Sequence, residues 1–376
     1  MANKQFISFF TIFFTLYAII NFYIFIHGFN TLDGGVRLAY SIIFIICAGS
    51  FFIGRYLEKK TSGFISILFV WIGSFWFASL LYFFIAVVLT DLLLLLNLAF
   101  NFLPKSFFYY EFLIVIPLVL LVIFIGYLNA KNVRIKELYI TIKNKKAVPK
   151  KYKIAVASDI HLGTIIGTKR LKNIVNKINS LFPDMVLLPG DVLDEDVTPV
   201  IRQNLGELLK AIQAPLGVYS VTGNHEYIGG IQKAVKYLTD HNVIILRDES
   251  ILIDDNFYLV GREDRAKKGF TGKNRKSLDE ILEDVDTGKP VILMDHQPYN
   301  LEEAEKYNID LQLSGHTHHA QLWPLNFITE KIYELSWGYK RKNNTHYYVS
   351  CGVGTWGPPV RLGNKPEIIN LTFDIQ

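Results

Sequence analysis

Ile154-Ala155-Val156-Ala157-Ser158-Asp159-Ile160-His161 joins an apolar run to two residues of metal-ligand type, and the arrangement returns four times further along the chain. Gly190-Asp191 follows Met185-Val186-Leu187-Leu188, and Gly223-Asn224-His225-Glu226 follows Val218-Tyr219-Ser220-Val221. Asp295-His296-Gln297-Pro298 follows Val291-Ile292-Leu293-Met294, and Gly315-His316-Thr317-His318 follows Leu311-Gln312-Leu313. Short apolar runs bounded by turn residues predict buried strands. Polar residues at the C-terminal ends of successive strands converge on one edge of an open α/β sheet, where such sheets place their sites. Asp159 and His161 are two apart, so an extended backbone would aim both at the same face. Each block alone says little, because a lone histidine is more often a hydrogen-bonded core or surface imidazole. Five in series point to one site. Carboxylate, imidazole and amide together make a donor set that suits Mn, Fe, Zn or Co better than Ca.

The set is similar to the signature of the calcineurin-like metallophosphoesterases: D-x-H, then G-D, then G-N-H-[ED], a lone His, and G-H-x-H. The resemblance covers residues 153–373 and matches every block. It implies a fold of two packed sheets flanked by helices, and hydrolysis of a P–O bond at two divalent ions. Carried over position by position, it gives Asp159, His161, Asp191 and His318 to one metal. It gives Asp191, Asn224, His296 and His316 to the other. His225 is then the catalytic group that stabilises the transition state or protonates the leaving oxygen. Two such ions, about 3.5–4 Å apart, clamp the attacking and leaving oxygens at phosphorus. Mn is the first expectation, with Fe, Zn or Co as alternatives. Glu226 and Asp295 are expected to orient imidazoles or cap turns. His319 and Arg361 are candidate substrate contacts, Arg361 after the Gly/Pro-rich loop 352–359. Asp194 and Asp196 read as a solvated loop, and His27, His241 and His346 as ordinary imidazoles.

The first 130 of the 376 residues have a different character. Phe, Ile and Leu dominate, in four apolar blocks near residues 6–26, 38–52, 64–100 and 112–128. Uncharged apolar runs of about 17–25 residues are of spanning length. A cleaved signal peptide is not expected, because the first run is too long and no small-residue cleavage site follows. The third block, at roughly 55 Å as a helix, exceeds a hydrocarbon core of about 30 Å. Asp91 lies inside it, so residues 64–90 read as the span and 91–103 as an interfacial piece. The chain is therefore expected to be a multi-span α-helical region (1–130), a basic linker with an edge strand (131–152) and an α/β phosphoesterase domain (153–376).

Net charge is +5. With four spans, Lys4, Arg55, Lys59, Lys60 and the lysine run after Leu128 share one side, and only Arg37 and Lys105 fall on the other. The positive-inside rule then places both termini and the catalytic domain in the cytoplasm, beneath an inner or plasma membrane. The partners expected are the lipid bilayer and a phosphoester substrate. The anchor, and a resemblance to the bacterial membrane-bound branch that includes hydrolases of UDP-diacylglucosamine-type precursors, suggest a lipid-linked or membrane-proximal phosphoester, with a cytosolic nucleotide or phosphoprotein as the alternative. No base-reading module accompanies the basic run, so nucleic acid is not an expected ligand. Two cysteines, Cys47 and Cys351, form no disulfide framework. The rival reading is a non-catalytic metal-binding sensor or scaffold module attached to a membrane domain; it would be favoured by missing ligands, and none is missing.

Overall fold

A computed structural model describes residues 2–60 and 63–376. The chain divides into two compact units. One holds the residues up to Leu128 with Gly357–Val360, and the other holds Asn129–Trp356 with Arg361–Gln376.

The first unit is built on helices α1 (Ala2–Thr31), α2 (Gly34–Lys60), α3 (Phe64–Phe100) and α4 (Lys105–Lys131), the last residues of α4 falling in the second unit. Among the described residues these four are long and apolar enough to cross a membrane. The side chain of Lys4 lies outside the described residues, as does that of Lys105. Helices α2 and α3 touch backbone to backbone. A Cβ on Gly73 would stand 2.2 Å from the Phe51 nitrogen, so only glycine permits that approach. Helix α3 does not break at Asp91. It continues to Phe100 and closes on Asn101, whose φ is 48°. The Asp91 carboxylate accepts a hydrogen bond from Tyr23 and lies 3.5 Å from His27, whose other ring nitrogen is 3.2 Å from Glu111.

The second unit is an α/β sandwich of twelve strands: β1 (Arg134–Ile142), β2 (Lys150–Val156), β3 (Met185–Leu188), β4 (Val218–Ser220), β5 (Ile244–Ile245), β6 (Glu249–Ile253), β7 (Phe257–Gly261), β8 (Val291–Met294), β9 (Leu311–Ser314), β10 (Gly338–Lys342), β11 (Thr345–Val349) and β12 (Glu367–Ile375). One sheet has the order β1-β12-β2-β3-β4-β5, the other β10-β11-β9-β8-β7-β6. Alternation drives their packing. Tyr152, Ile154 and Val156 on β2, and Ile369, Leu371, Phe373 and Ile375 on β12, point inward against Phe257, Leu259, Ile292, Met294, Leu311 and Leu313 of the facing sheet. The β1 segment pairs parallel to β12 at the sheet edge, with Leu138, Ile140 and Ile142 buried. Helix α5 (Thr168–Asn179) covers its sheet through Leu171, Ile174, Val175 and Ile178, the spacing of one helical face.

Where sequence periodicity predicts one helix over 200–211, the chain forms two, Thr198–Arg202 and Gly206–Lys210. Asn204 turns the backbone between them at φ 50°. The aromatic stretch 322–339 contains the helix Asn326–Ile332 and the start of β10.

Candidate metal centre

Strands β2, β3 and β4 run parallel, as do β7, β8 and β9, so the chain leaves all six at corresponding edges. The five polar blocks occupy the turns after β2, β3, β4, β8 and β9. Their geometry is not extended. Asp159 and His161 both have φ 53°, Asp191 51°, His316 69° and His318 48°. The two-residue spacing of Asp159 and His161 therefore works through a left-handed loop, not through the pleat expected from sequence. Each left-handed non-glycine residue costs roughly 1–2 kcal/mol, a cost that persists where the surroundings over-determine the backbone. Here they do: Asp159 N donates to Gly190 O at 3.2 Å, His161 N to Asp191 O at 3.0 Å, and Gly354 N to Asp159 O at 2.9 Å. Gly190 itself, at φ +85°, could carry no side chain, because a Cβ would sit 2.6 Å from His296 Nδ1.

Asp159, His161 and His318 each offer a donor atom within 4.8 Å of the others, and so do Asp191, His296 and His316. Asn224 joins the second group, with its amide oxygen 2.9 Å from His316 Nδ1 and 3.3 Å from His296 Nε2. One oxygen faces both groups: Asp191 Oδ2 is 3.1 Å from His296 Nε2 and 3.9 Å from His161 Nε2. The His161 and His318 Nε2 atoms confront each other at 3.0 Å, and His161 Nδ1 is buried without a hydrogen bond. Imidazole nitrogens converging in this way, with carboxylates alongside, fit a pair of divalent ions.

The orienting contacts are also present. His296 Nδ1 donates to the Pro189 carbonyl at 2.8 Å, which leaves Nε2 free to ligate. Ser158 Oγ donates to the Asp159 carboxylate, and His316 N donates to its other oxygen at 2.9 Å. Glu226 caps turns as expected. Its carboxylate accepts from Gly223 N, Asp191 N and Leu193 N, so it ties the third block to the second. Asp295 instead accepts from two guanidiniums, Arg262 at 3.3 Å and Arg275 at 2.8 Å.

Burial holds His161 and His316 neutral, each down to about 3, and pushes His318 well below the usual imidazole value. Neutral imidazoles are what a metal needs. Burial lifts Asp159 to about 6. It would lift Asp191 too, but the neighbouring imidazoles, His296 first, outweigh it and hold that carboxylate ionised. For His225 burial favours the neutral ring, yet Asp191 and Asp194 outweigh it and raise the group to about 9.

The sequence profile of the calcineurin-like phosphoesterases matches residues 152–320. An uncharacterized metallophosphoesterase of Aquifex aeolicus is 35% identical over 62% of this chain and 89% of its own length. The chain belongs to the calcineurin-like metallophosphoesterases. A Campylobacter jejuni metallophosphoesterase is 32% identical over 69% of each chain. A bovine transmembrane protein with a metallophosphoesterase domain is 34% identical over 58% of this chain and 52% of its own length, so the match spans about half of that relative. The chain is thus a metal-dependent phosphoric ester hydrolase of a binuclear family, and four apolar helices precede its catalytic domain.

One metallophosphoesterase residue at this site was not singled out by the motifs. Asp194 is buried, with Oδ1 3.3 Å from His225 Nδ1 and 3.9 Å from His161 Nδ1. It lies in the acidic run Asp194-Glu195-Asp196, which reads as a solvated loop, and only the fold turns it inward. Of the two candidate substrate contacts, Arg361 is committed to the protein interior and His319 stays partly accessible. Arg361 is fully buried and donates to the carbonyls of Cys351, Gly352 and Gly354 and to the Asn364 side chain, tying the glycine-rich loop behind His318. His319 is half-buried against Trp337, with its ring nitrogens 3.2 Å from Ser336 Oγ and 3.6 Å from Glu330.

Proposed function

We propose that this metallophosphoesterase hydrolyses a phosphoester or pyrophosphate bond of a membrane-proximal, lipid-linked substrate, with Mn(II) as the preferred ion. The observation that carries the site assignment is the single Asp191 oxygen facing both donor groups. In this reading Asp159, His161 and His318 would hold one ion and Asn224, His296 and His316 the other, with Asp191 available to both. Bound ions of this kind polarise phosphoryl oxygens and lower the pKa of a coordinated water, which supplies the nucleophile. His225, whose Nδ1 lies 3.3 Å from Asp194 Oδ1, would present a proton on Nε2 to the departing oxygen. Trp356, whose ring lies 5.8 Å from that of His225, flanks the leaving-group side. The covalent tether to spanning helices favours a substrate that itself resides in the bilayer, and a UDP-diacylglucosamine-type precursor has the required bond.

The test is a hydrolysis screen of the purified full-length chain with Mn(II). It covers p-nitrophenyl mono- and diesters, free nucleotides and nucleotide-linked lipids in mixed micelles. Turnover of the lipid class at least tenfold above its water-soluble counterpart is expected. Equal rates would remove the lipid-linked assignment, and no turnover of any phosphoester, with two metals bound, would favour the sensor module.

Four spans place Lys59 and Lys60, at the end of α2, on the same side as Lys131, at the end of α4, so the catalytic domain is expected in the cytoplasm. A cysteine replacing the exposed Lys273 should resist impermeant thiol reagents in intact cells and react after lysis. The native thiols add little background, because Cys351 is buried and Cys47 lies within a span. Labelling in intact cells would put the active site on the outer face.

A further inference from the structure

Next to Asp295, the residue before the ligand candidate His296, lies a pocket of about 670 Å³ whose lining includes Arg262, Arg265, Lys268, Arg275, Lys276 and Glu280. Its position follows from the sheet. Strands β7 and β8 pair in parallel, with Gly261 opposite Met294, so the loop after β7 emerges next to Asp295 and the ligand candidate His296. Two of the guanidiniums are already committed. Arg262 bonds Asp295 and, at 2.8 Å, Glu303, while Arg275 bonds Asp295 and the Glu263 carbonyl. Arg265 differs. Its guanidinium stacks 5.0 Å from the centre of the Tyr299 ring and bonds no carboxylate, while its Nε, like that of Arg262, is buried without a hydrogen bond. The Tyr299 hydroxyl lies 3.1 Å from that of Tyr333, and the Tyr333 ring is 6.2 Å from the His316 ring. A wall of two tyrosines therefore leads from the metal-ligand candidate His316 to Arg265.

A guanidinium held by stacking, with cationic neighbours and donor capacity left over, matches the fork geometry of a phosphate or carboxylate. Burial first, and then the Arg275 and Arg262 charges, keep Arg265 below the ordinary arginine range, a tension that an incoming anion relieves. We propose that this pocket is a second anion subsite, which holds a further phosphate-class group of the substrate away from the phosphorus under attack. The inference rests on the phosphoesterase reading and narrows it to substrates carrying two phosphate-class groups.

Phosphonates separate binding from hydrolysis, because their P–C bonds are not cleaved. Calorimetric titration of the Mn-loaded, detergent-solubilised full chain compares hexane-1,6-bisphosphonate with hexylphosphonate. The bisphosphonate is expected to bind roughly tenfold or more tightly, the scale of a hydrogen bond to a charged group. Arg265→Ala should erase most of that advantage, and Arg265→Lys should keep part of it. Arg265 bonds no carboxylate, so its removal leaves no buried anion unpaired; circular dichroism and metal content check that each variant is folded. No advantage for the bisphosphonate in the native chain, or an advantage that survives Arg265→Ala, overturns the subsite. If hexylphosphonate with added inorganic phosphate reproduces the bisphosphonate affinity, the anion is a separate molecule and the two-group substrate is wrong. Arg265-dependent binding in a chain that hydrolyses no phosphoester would instead overturn the enzymatic reading and leave the subsite standing.

Discussion

Asp191→Asn is expected to lower bound transition metal from about two equivalents per chain to fewer than one, and to abolish hydrolysis. The substitution is nearly isosteric. The remaining amide oxygen can still accept from His225 N, as Asp191 Oδ1 does at 2.9 Å, but the atom then facing both donor groups is an NH2 nitrogen, which carries no charge and cannot ligate. Losing a residue that stands behind a metal ligand typically costs 10–100-fold, so loss of the bridging carboxylate should exceed about 100-fold. Elemental analysis of purified protein reads the metal directly, and circular dichroism checks the fold. Two equivalents of metal with full activity in the variant would sink the site assignment, and the proposed two-ion chemistry with it.

The second large effect concerns His225. It touches the centre but belongs to neither donor group proposed for the ions. His225→Ala should therefore keep its metal and lose roughly 10²–10⁴ in kcat, the usual span for a general acid. An ester of p-nitrophenol needs no proton on departure and should lose less than an alkyl ester. Equal losses would argue that the ring stabilises charge and does not deliver a proton. A companion change isolates the Asp194 contact. With no ion bound, and against the effect of burial, Asp191 and then Asp194 raise His225 to about 9, so the protonated ring is lost as pH rises through that value; cations held at Asp191 would bring it lower. Asp194→Asn removes one of the charges responsible. The alkaline limb of kcat/KM should then move to lower pH while the metal content holds; an unmoved limb would show that Asp194 does not tune the ring.

The residues that make the site were legible because their order carries information that no single one does. Ligand-type side chains after five apolar runs can meet only at one sheet edge, and the parallel pairings of β2 to β4 and β7 to β9 deliver that. Buried strands were equally plain, because alternation such as Ile369, Leu371, Phe373 and Ile375 survives any context. Three things were not legible. The left-handed backbone at Asp159, His161 and His318 could not be read from sequence, since aspartate and histidine are enriched there yet adopt it at only a small share of their positions. The inward turn of Asp194 depends on tertiary contacts that override the polarity of its neighbours. Arg361 looked available because arginine is rarely buried, yet carbonyls turned toward one point in the glycine-rich loop satisfy its guanidinium.

The unbroken helix α3 sets a condition on the bilayer. Its 37 residues amount to about 55 Å of rise. Even at about 40°, the steep end of observed tilts, such a helix still projects roughly 42 Å along the membrane normal, against a hydrocarbon thickness near 30 Å. Tilting alone therefore leaves a surplus. Apart from Asp91 and Asn97 that surplus is apolar, and Leu92, Leu95, Leu96, Leu98 and Phe100 are all exposed. The terminal turns must either lie along the headgroups or thicken the surrounding lipid. Either solution is a positive hydrophobic mismatch, which makes the energy of this helix, and the membranes in which the protein settles, a function of acyl-chain length.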